Sequence, residues 1–187
     1  MLTRCGRSAT PSARSERDER SAASVTHQRL DDLCFMPRIP EARNPHFEQA
    51  VRESFDRQQF MATIGARLTI VSAGEIEIRV PVRPNLTQQH GFLHAGVVAS
   101  ALDSACGYAA FSLMPAGVGV LTVEFKTNLL APAIGQELIA RGRVVRAGRT
   151  ITVCQGEASM LSDGKETLTA TMLATMMMLR DRPDVVG

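Results

Sequence analysis

The chain contains no tryptophan, one tyrosine and seven phenylalanines. Stacking of bases on aromatic side chains is therefore not indicated. Net charge is only +2, too small to argue for a nucleic-acid partner. The four cysteines, Cys5, Cys34, Cys106 and Cys154, are scattered and none forms a CxxC pair. That excludes a zinc knuckle and a disulfide framework, and reduced thiols in a cytoplasm fit best. No set of His, Cys and carboxylate residues has metal-ligand spacing, so no metal is expected. The first thirty residues have no apolar core, so they do not read as a signal peptide. They are rich in Arg and Ser like a transit peptide, but Glu16, Asp18 and Glu19 argue against one. Residues 1–44 read instead as a disordered extension.

What is present centres on Leu93–Leu113, a long run that is apolar on nearly every side and carries one formal charge, Asp103. A helix apolar all round is usually buried, and Asp is almost never fully buried without a partner. A membrane span is not expected, because Asp103 would sit near the bilayer centre at a cost of about 3 kcal/mol.

Around this helix the chain reads as β structure. Asn44-Pro45 has the form of a helix start, and Phe47, Val51, Phe55 and Phe60 predict one amphipathic helix over 45–62. Leu68, Ile70, Ile76, Ile78, Val80 and Val82 alternate with polar residues across Ser72-Ala73-Gly74, which predicts a hairpin with one buried and one wet face. Residues 85–92 form a loop into the buried helix. Beyond Met114–Gly117, strands are expected over 118–130, 137–145, 150–160 and 166–179. In the first of these, Leu121, Val123 and Phe125 would share one face. Arg146–Arg149 would be a tight turn, and Ser162-Asp163-Gly164-Lys165 a hairpin turn. Short connections force antiparallel pairing. The expectation is an α+β domain over 45–182, a sheet packed by one central helix, with 183–187 as a frayed tail. The outer side of the helix needs a cover, most simply a second subunit.

His94, Ala95 and Gly96 fall at the start of the helix, where backbone N–H groups lack intrahelical partners. Such a terminus suits an anion or a carbonyl oxygen that develops charge. Gly96 and Ala95 are small enough for a substrate carbonyl to approach the backbone closely. Asp103 lies nine residues past His94, about 13 Å along the helix, too far to share one reacting carbon with it in one chain. A two-fold dimer would bring Asp103 of one chain opposite His94 of the other.

Gln88-Gln-His-Gly-Phe-Leu-His-Ala-Gly96, followed by Ala101-Leu-Asp103, resembles the active-site segment of hotdog-fold acyl-CoA thioesterases of the phenylacetyl-CoA (PaaI-like) type, within the 4-hydroxybenzoyl-CoA thioesterase superfamily. The resemblance continues through Thr122–Pro132, Val145–Arg149 and the Asp163-Gly164 turn. It implies a hotdog fold, in which an antiparallel sheet wraps a long apolar helix. The implied activity is hydrolysis of an acyl- or aryl-CoA ester without a further cofactor, by a homodimer or homotetramer. Asp103 would act as general base or nucleophile, and the Ala95 N–H would polarise the thioester carbonyl. His94 would support the loop, Gln88 would position water or the carboxylate, and Thr122 would orient the water beside Asp103. Ala95 replaces the family's usual glycine, which a backbone donor tolerates.

Each residue also has a plainer reading. Asp103 would be a paired buried acid, His94 a cap, His90 and Gln88 loop residues, and Thr122 an ordinary strand residue. Arg146 and Arg149, with Gly96, are candidates for contact with the CoA moiety, because arginine binds phosphate bidentately; a solvated turn is the alternative. Cys106 and the Met172, Met176–Met178 cluster read as core. A hotdog hydratase and a non-catalytic acyl-CoA-binding module are the competing functions.

Overall fold

The computed structural model describes residues 41–180 and 182. The expectations for the extension, the last five residues, Cys5 and Cys34 lie outside those residues. Six strands form one antiparallel sheet in the order β1-β2-β4-β5-β6-β3. They are β1 (Arg67–Ser72), β2 (Glu75–Pro81), β3 (Gly119–Leu129), β4 (Glu137–Ala147), β5 (Ile151–Ser162) and β6 (Lys165–Leu179). The helix α3 (Ala95–Phe111) packs across one face, which is the α+β hotdog arrangement that the resemblance implies. No helix among the described residues is long and apolar enough to cross a membrane.

The expected first helix is two helices, α1 (Phe47–Asp56) and α2 (Gln59–Ile64). The chain leaves helical geometry at Gln58, which takes extended backbone angles and caps α2. That break resets the buried face. Val51 and Phe55 are buried on α1, but Met61 and Ile64 take over on α2 and Phe60 is left 54% exposed. Asn44 does not cap α1 directly; its side chain accepts from the His46 N–H at 3.0 Å, and His46 stands at the cap.

Eleven residues of α3 are buried, from Val97 to Phe111. Part of its cover comes from the same chain, because Phe55 of α1 meets Tyr108 edge-on at 5.8 Å. Gly96 remains exposed, and Ala99, Ser100, Asp103 and Gly107 are only partly covered. At spacings of three and four they form one stripe along the helix.

The hairpin of β1 and β2 forms through Ala73-Gly74, with Gly74 in the left-handed region at φ 79°. Ile76, Ile78 and Val80 face the helix, as their alternation requires. The opposite face is not simply wet, because Glu77 is only 3% exposed there. Thr69, Arg79 and Arg141 each donate to its carboxylate at 2.8 Å. Burial alone would raise this carboxyl, but those hydrogen bonds outweigh it and hold it below its ordinary range. Glu77→Ala is therefore expected to lower stability by about 2 kcal/mol at pH 7, because the arginines lose a buried partner. A depressed carboxyl contributes stability that is lost as pH falls through its folded value. Urea midpoints of variant and parent should accordingly converge in acid.

Two bulges alter the expected strand pattern. The β3–β6 register slips between Thr122 and Glu124, so Val123 is an extra residue. Thr122 stays opposite buried Met176, while Phe125 comes opposite buried Ala174. Leu121, opposite Met177, and Phe125 thus lie on opposite faces, which corrects the expected alternation. A second slip, between Val144 and Arg146, extends β4 to Ala147, so Arg146 is a strand residue and only residues 148–150 turn. The Asp163-Gly164 turn forms as expected, with φ of 50° and 78°.

Candidate active site

The loop before α3 is built from its own polar groups. The Gln88 N–H bonds the Phe92 carbonyl at 2.9 Å, and the Gln88 side-chain oxygen accepts from the His90 N–H at 2.5 Å. Leu93 and His94 then donate their N–H groups to Ala133 and Leu86. This anchors His94 as the cap of α3, where its Nδ1 accepts from the Gly96 N–H at 2.9 Å. The His94 carbonyl takes the N–H groups of Val97 and Val98. One amide of the first turn is left over. Ala95 N–H has no acceptor among the described residues, and Ala95 is exposed.

A cleft of about 170 Å³ lies against this amide. Its walls include Phe92, Leu93, Val98, Leu129 and Pro132, with Gln88 and Thr169 as polar members. The Thr169 hydroxyl donates to the Ala158 carbonyl, while Gln88 lines the cleft along with Ala95. The Gln88 side-chain nitrogen makes no hydrogen bond among the described residues. An apolar cleft with two unused N–H donors at one end suits an acyl group and its carbonyl oxygen.

Asp103 sits elsewhere on the helix. Eight residues of rise separate it from Ala95, about 12 Å. It is half-buried, and Thr122 donates to its Oδ1 at 2.7 Å across the gap from β3. Burial pushes its carboxyl up, and the Thr122 hydrogen bond draws it only partly back. The carboxylate thereby becomes a better base near neutrality than an exposed aspartate. The structure brings Thr122 to Asp103 and Gln88 to Ala95, and it does not bring these two pairs together within one chain.

Other residues fall away from both pairs. Gly96 spends its N–H on His94, so it offers no donor to a ligand. A side-chain carbon at Gly96 would lie 3.0 Å from His94 Nδ1, which ties the small residue to the cap. Arg146 and Arg149 are exposed and make no ion pair among the described residues. In register, the row of Arg146 runs through Val153 and Thr175 to Glu124 and not to Thr122, whose strand lies three strands away, about 14 Å. His90 is an exposed loop residue. Cys106 and Cys154 are buried; burial pushes the Cys154 thiol up to about 12, and Cys106 rises further beside Cys154 and Asp103. Met172, Met176 and Met178 are core, while Met177 turns to the other face. Among the described residues no group of three His, Cys, Asp or Glu is placed to hold a metal.

His94 has a measurable structural duty whatever else it does. His94→Ala should cost about 1 kcal/mol in thermal or urea denaturation, the ordinary loss for a missing helix cap. His94→Asn keeps a cap acceptor and should recover most of that stability.

The family is shown by comparison with known proteins. Residues 90–166 match the family model of the thioesterase superfamily. The crystal structure of a thioesterase family protein from Silicibacter pomeroyi is 52% identical, covers 75% of this chain and 99% of its own, and superposes with a TM-score of 0.71. A curated relative from Halobacterium salinarum, named "Putative esterase VNG_1336C", is 32% identical over 56% of this chain and 72% of its own length. The PaaI protein of E. coli, from the phenylacetic acid degradation operon, shares the fold with a TM-score of 0.66 at 16% identity, covering 74% of this chain and 97% of its own. The chain belongs to the thioesterase superfamily. It is a hydrolase that acts on thioesters.

Proposed function

We propose that the substrate is an acyl- or aryl-CoA ester and that each reaction centre is completed by two copies of the chain. The observation that carries this reading is the pairing of an unused Ala95 amide over an apolar cleft with a half-buried Asp103, about 12 Å away on the same helix. One chain supplies the oxyanion donor, with Gln88 beside it. The other supplies Asp103, oriented by Thr122. The thioester oxygen gathers negative charge as the carbonyl is attacked, and a fixed N–H at a helix start stabilises it. Asp103 either removes a proton from the attacking water or attacks the carbonyl carbon itself. CoA leaves as the thiol. Where the CoA nucleotide lies along Arg146 and Arg149, their exposed guanidinium groups are free to pair with phosphate.

Two surfaces support the dimer. The partly covered stripe on α3 is made of small residues around Asp103. The edge strand β3 leaves Leu121, Val123, Phe125 and Leu129 between 44% and 59% exposed, and a long apolar edge strand is ordinarily covered. A dimer is the smallest complete unit, and a tetramer of two such dimers follows the family resemblance. A cytoplasmic site of action suits the free thiols of Cys106 and Cys154.

The test is release of free thiol from a panel of acyl- and aryl-CoA esters, followed with a thiol-reactive dye, alongside sedimentation for oligomeric state. Turnover by a dimer or larger assembly is expected. Loss of enoyl absorbance without thiol release would establish the hydratase instead. Tight binding without turnover would leave only a binding module.

A further inference from the structure

The Thr122 hydroxyl has two acceptors. It lies 2.7 Å from Asp103 Oδ1 and 3.4 Å from the sulfur of Met176. A hydroxyl carries one hydrogen, so it serves one acceptor at a time. Met176 is fully buried on β6, directly opposite Thr122 in the register. The Val123 bulge keeps Thr122 turned to the helix side at this point, so the carboxylate, hydroxyl and sulfur form a short row from α3 through β3 to β6. A leucine would pack there as well, but it would offer no acceptor.

We propose that Met176 is a positioning residue for the reaction: its sulfur is the second acceptor that lets Thr122 turn from donor to acceptor when Asp103 takes up a proton. The proposal rests on the reading of Asp103 as the working carboxylate. In the resting state Asp103 is an anion and Thr122 donates to it. When Oδ1 gains a proton, that oxygen becomes a donor facing another donor. The conflict is removed if the Thr122 hydrogen swings to the Met176 sulfur and the Thr122 oxygen accepts from Asp103. When the proton leaves, the hydroxyl swings back. No bond to carbon changes and no proton is lost from the row. The charged surroundings are simple. Cys106, on α3, is the titratable neighbour that feels Asp103, and it stays neutral. Glu124 is held by Thr175 at 2.6 Å on the opposite face of the sheet, and Lys126 is paired with Leu173 on that face. Neither touches the row.

The test uses the full chain with 13C-labelled aspartate carboxyls, the Asp103 signal being assigned by its loss in Asp103→Asn. Met176→Leu conserves volume and removes the acceptor. Its Asp103 midpoint should fall by about half a pH unit, a threefold loss of proton affinity, because the protonated state loses its support. The acid limb of kcat/KM should move down equally, with KM unchanged. In a Thr122→Val background, Met176→Leu should produce no such shift. Met176→Ile repeats the measurement with another shape. An unchanged midpoint in both variants, or an equal shift without Thr122, overturns the proposal. If Asp103→Asn keeps full turnover, the catalytic reading fails instead, and the midpoints still decide the role of the sulfur.

Discussion

Replacing Asp103 with asparagine lowers thiol release from acyl-CoA by a factor of about 10² to 10⁴, the ordinary worth of a placed general base. The change keeps size and shape, and the Thr122 hydroxyl keeps an oxygen to donate to. Loss of rate would therefore report the missing basicity and not a collapsed site. Stability should move the other way. Burial holds the Asp103 carboxyl above its ordinary value, so the fold is penalised for ionising it. That penalty is absent below the unfolded carboxyl's pKa and develops as pH rises through the raised folded value. The asparagine variant should thus unfold at a higher temperature than the parent near pH 8 and at the same temperature in strong acid. A rise in stability with a fall in activity marks a residue kept for chemistry. Full turnover in this variant, measured across the ester panel, would remove Asp103 from the reaction.

The features that could be read in the sequence are those set by local chemistry. Asp163-Gly164 forms its turn because both positions need positive φ, and few residue pairs tolerate that. The 93–113 run becomes α3 because its length and apolar content leave no other use for it. Thr122 could be placed beside Asp103 only through the family resemblance, and the 2.7 Å contact joins them across 19 residues of chain. The misses arose where tertiary packing decides. Val123 is an ordinary β residue, and nothing local announces that it is squeezed out of register. Arg57-Gln58 carries no Gly or Pro, yet the helix breaks there and the buried face passes from Phe60 to Met61 and Ile64. Glu77 looked like a wet strand residue because its neighbours Glu75 and Arg79 are polar. Its burial depends on Arg141, which lies 64 residues away in the chain. Met176 could not be tied to Thr122 by any spacing, because a register between β3 and β6 creates the contact.

Gly142→Ala is expected to be among the most damaging single changes outside the active site. Adding a methyl group to a strand glycine normally stiffens the unfolded chain and stabilises the fold slightly. At Gly142 the sign reverses. A side-chain carbon there would stand 2.4 Å from the carbonyl carbon of Ala105, 2.5 Å from its oxygen and 2.6 Å from the Cys106 nitrogen. All three atoms belong to the backbone of α3, so no rotamer change relieves the clash. The helix must lift from β4 or the strand must bend, and the loss should be about 3 kcal/mol or more in urea denaturation. Gly156, its partner on β5, provides the control. There the added carbon would meet the Leu102 side chain at 3.0 Å and the Cys106 sulfur at 3.1 Å, both at the ends of side chains that can move. Gly156→Ala should cost about 1 kcal/mol. The same displacement reaches the Asp103–Thr122 pair. Asp103 is held to β3 by one 2.7 Å hydrogen bond, and a helix lifted by an ångström breaks it. Under conditions where Gly142→Ala remains folded, its turnover should therefore fall well below that of Gly156→Ala, because Gly142 sets the depth at which α3 lies and the depth of α3 sets the reach of its carboxylate.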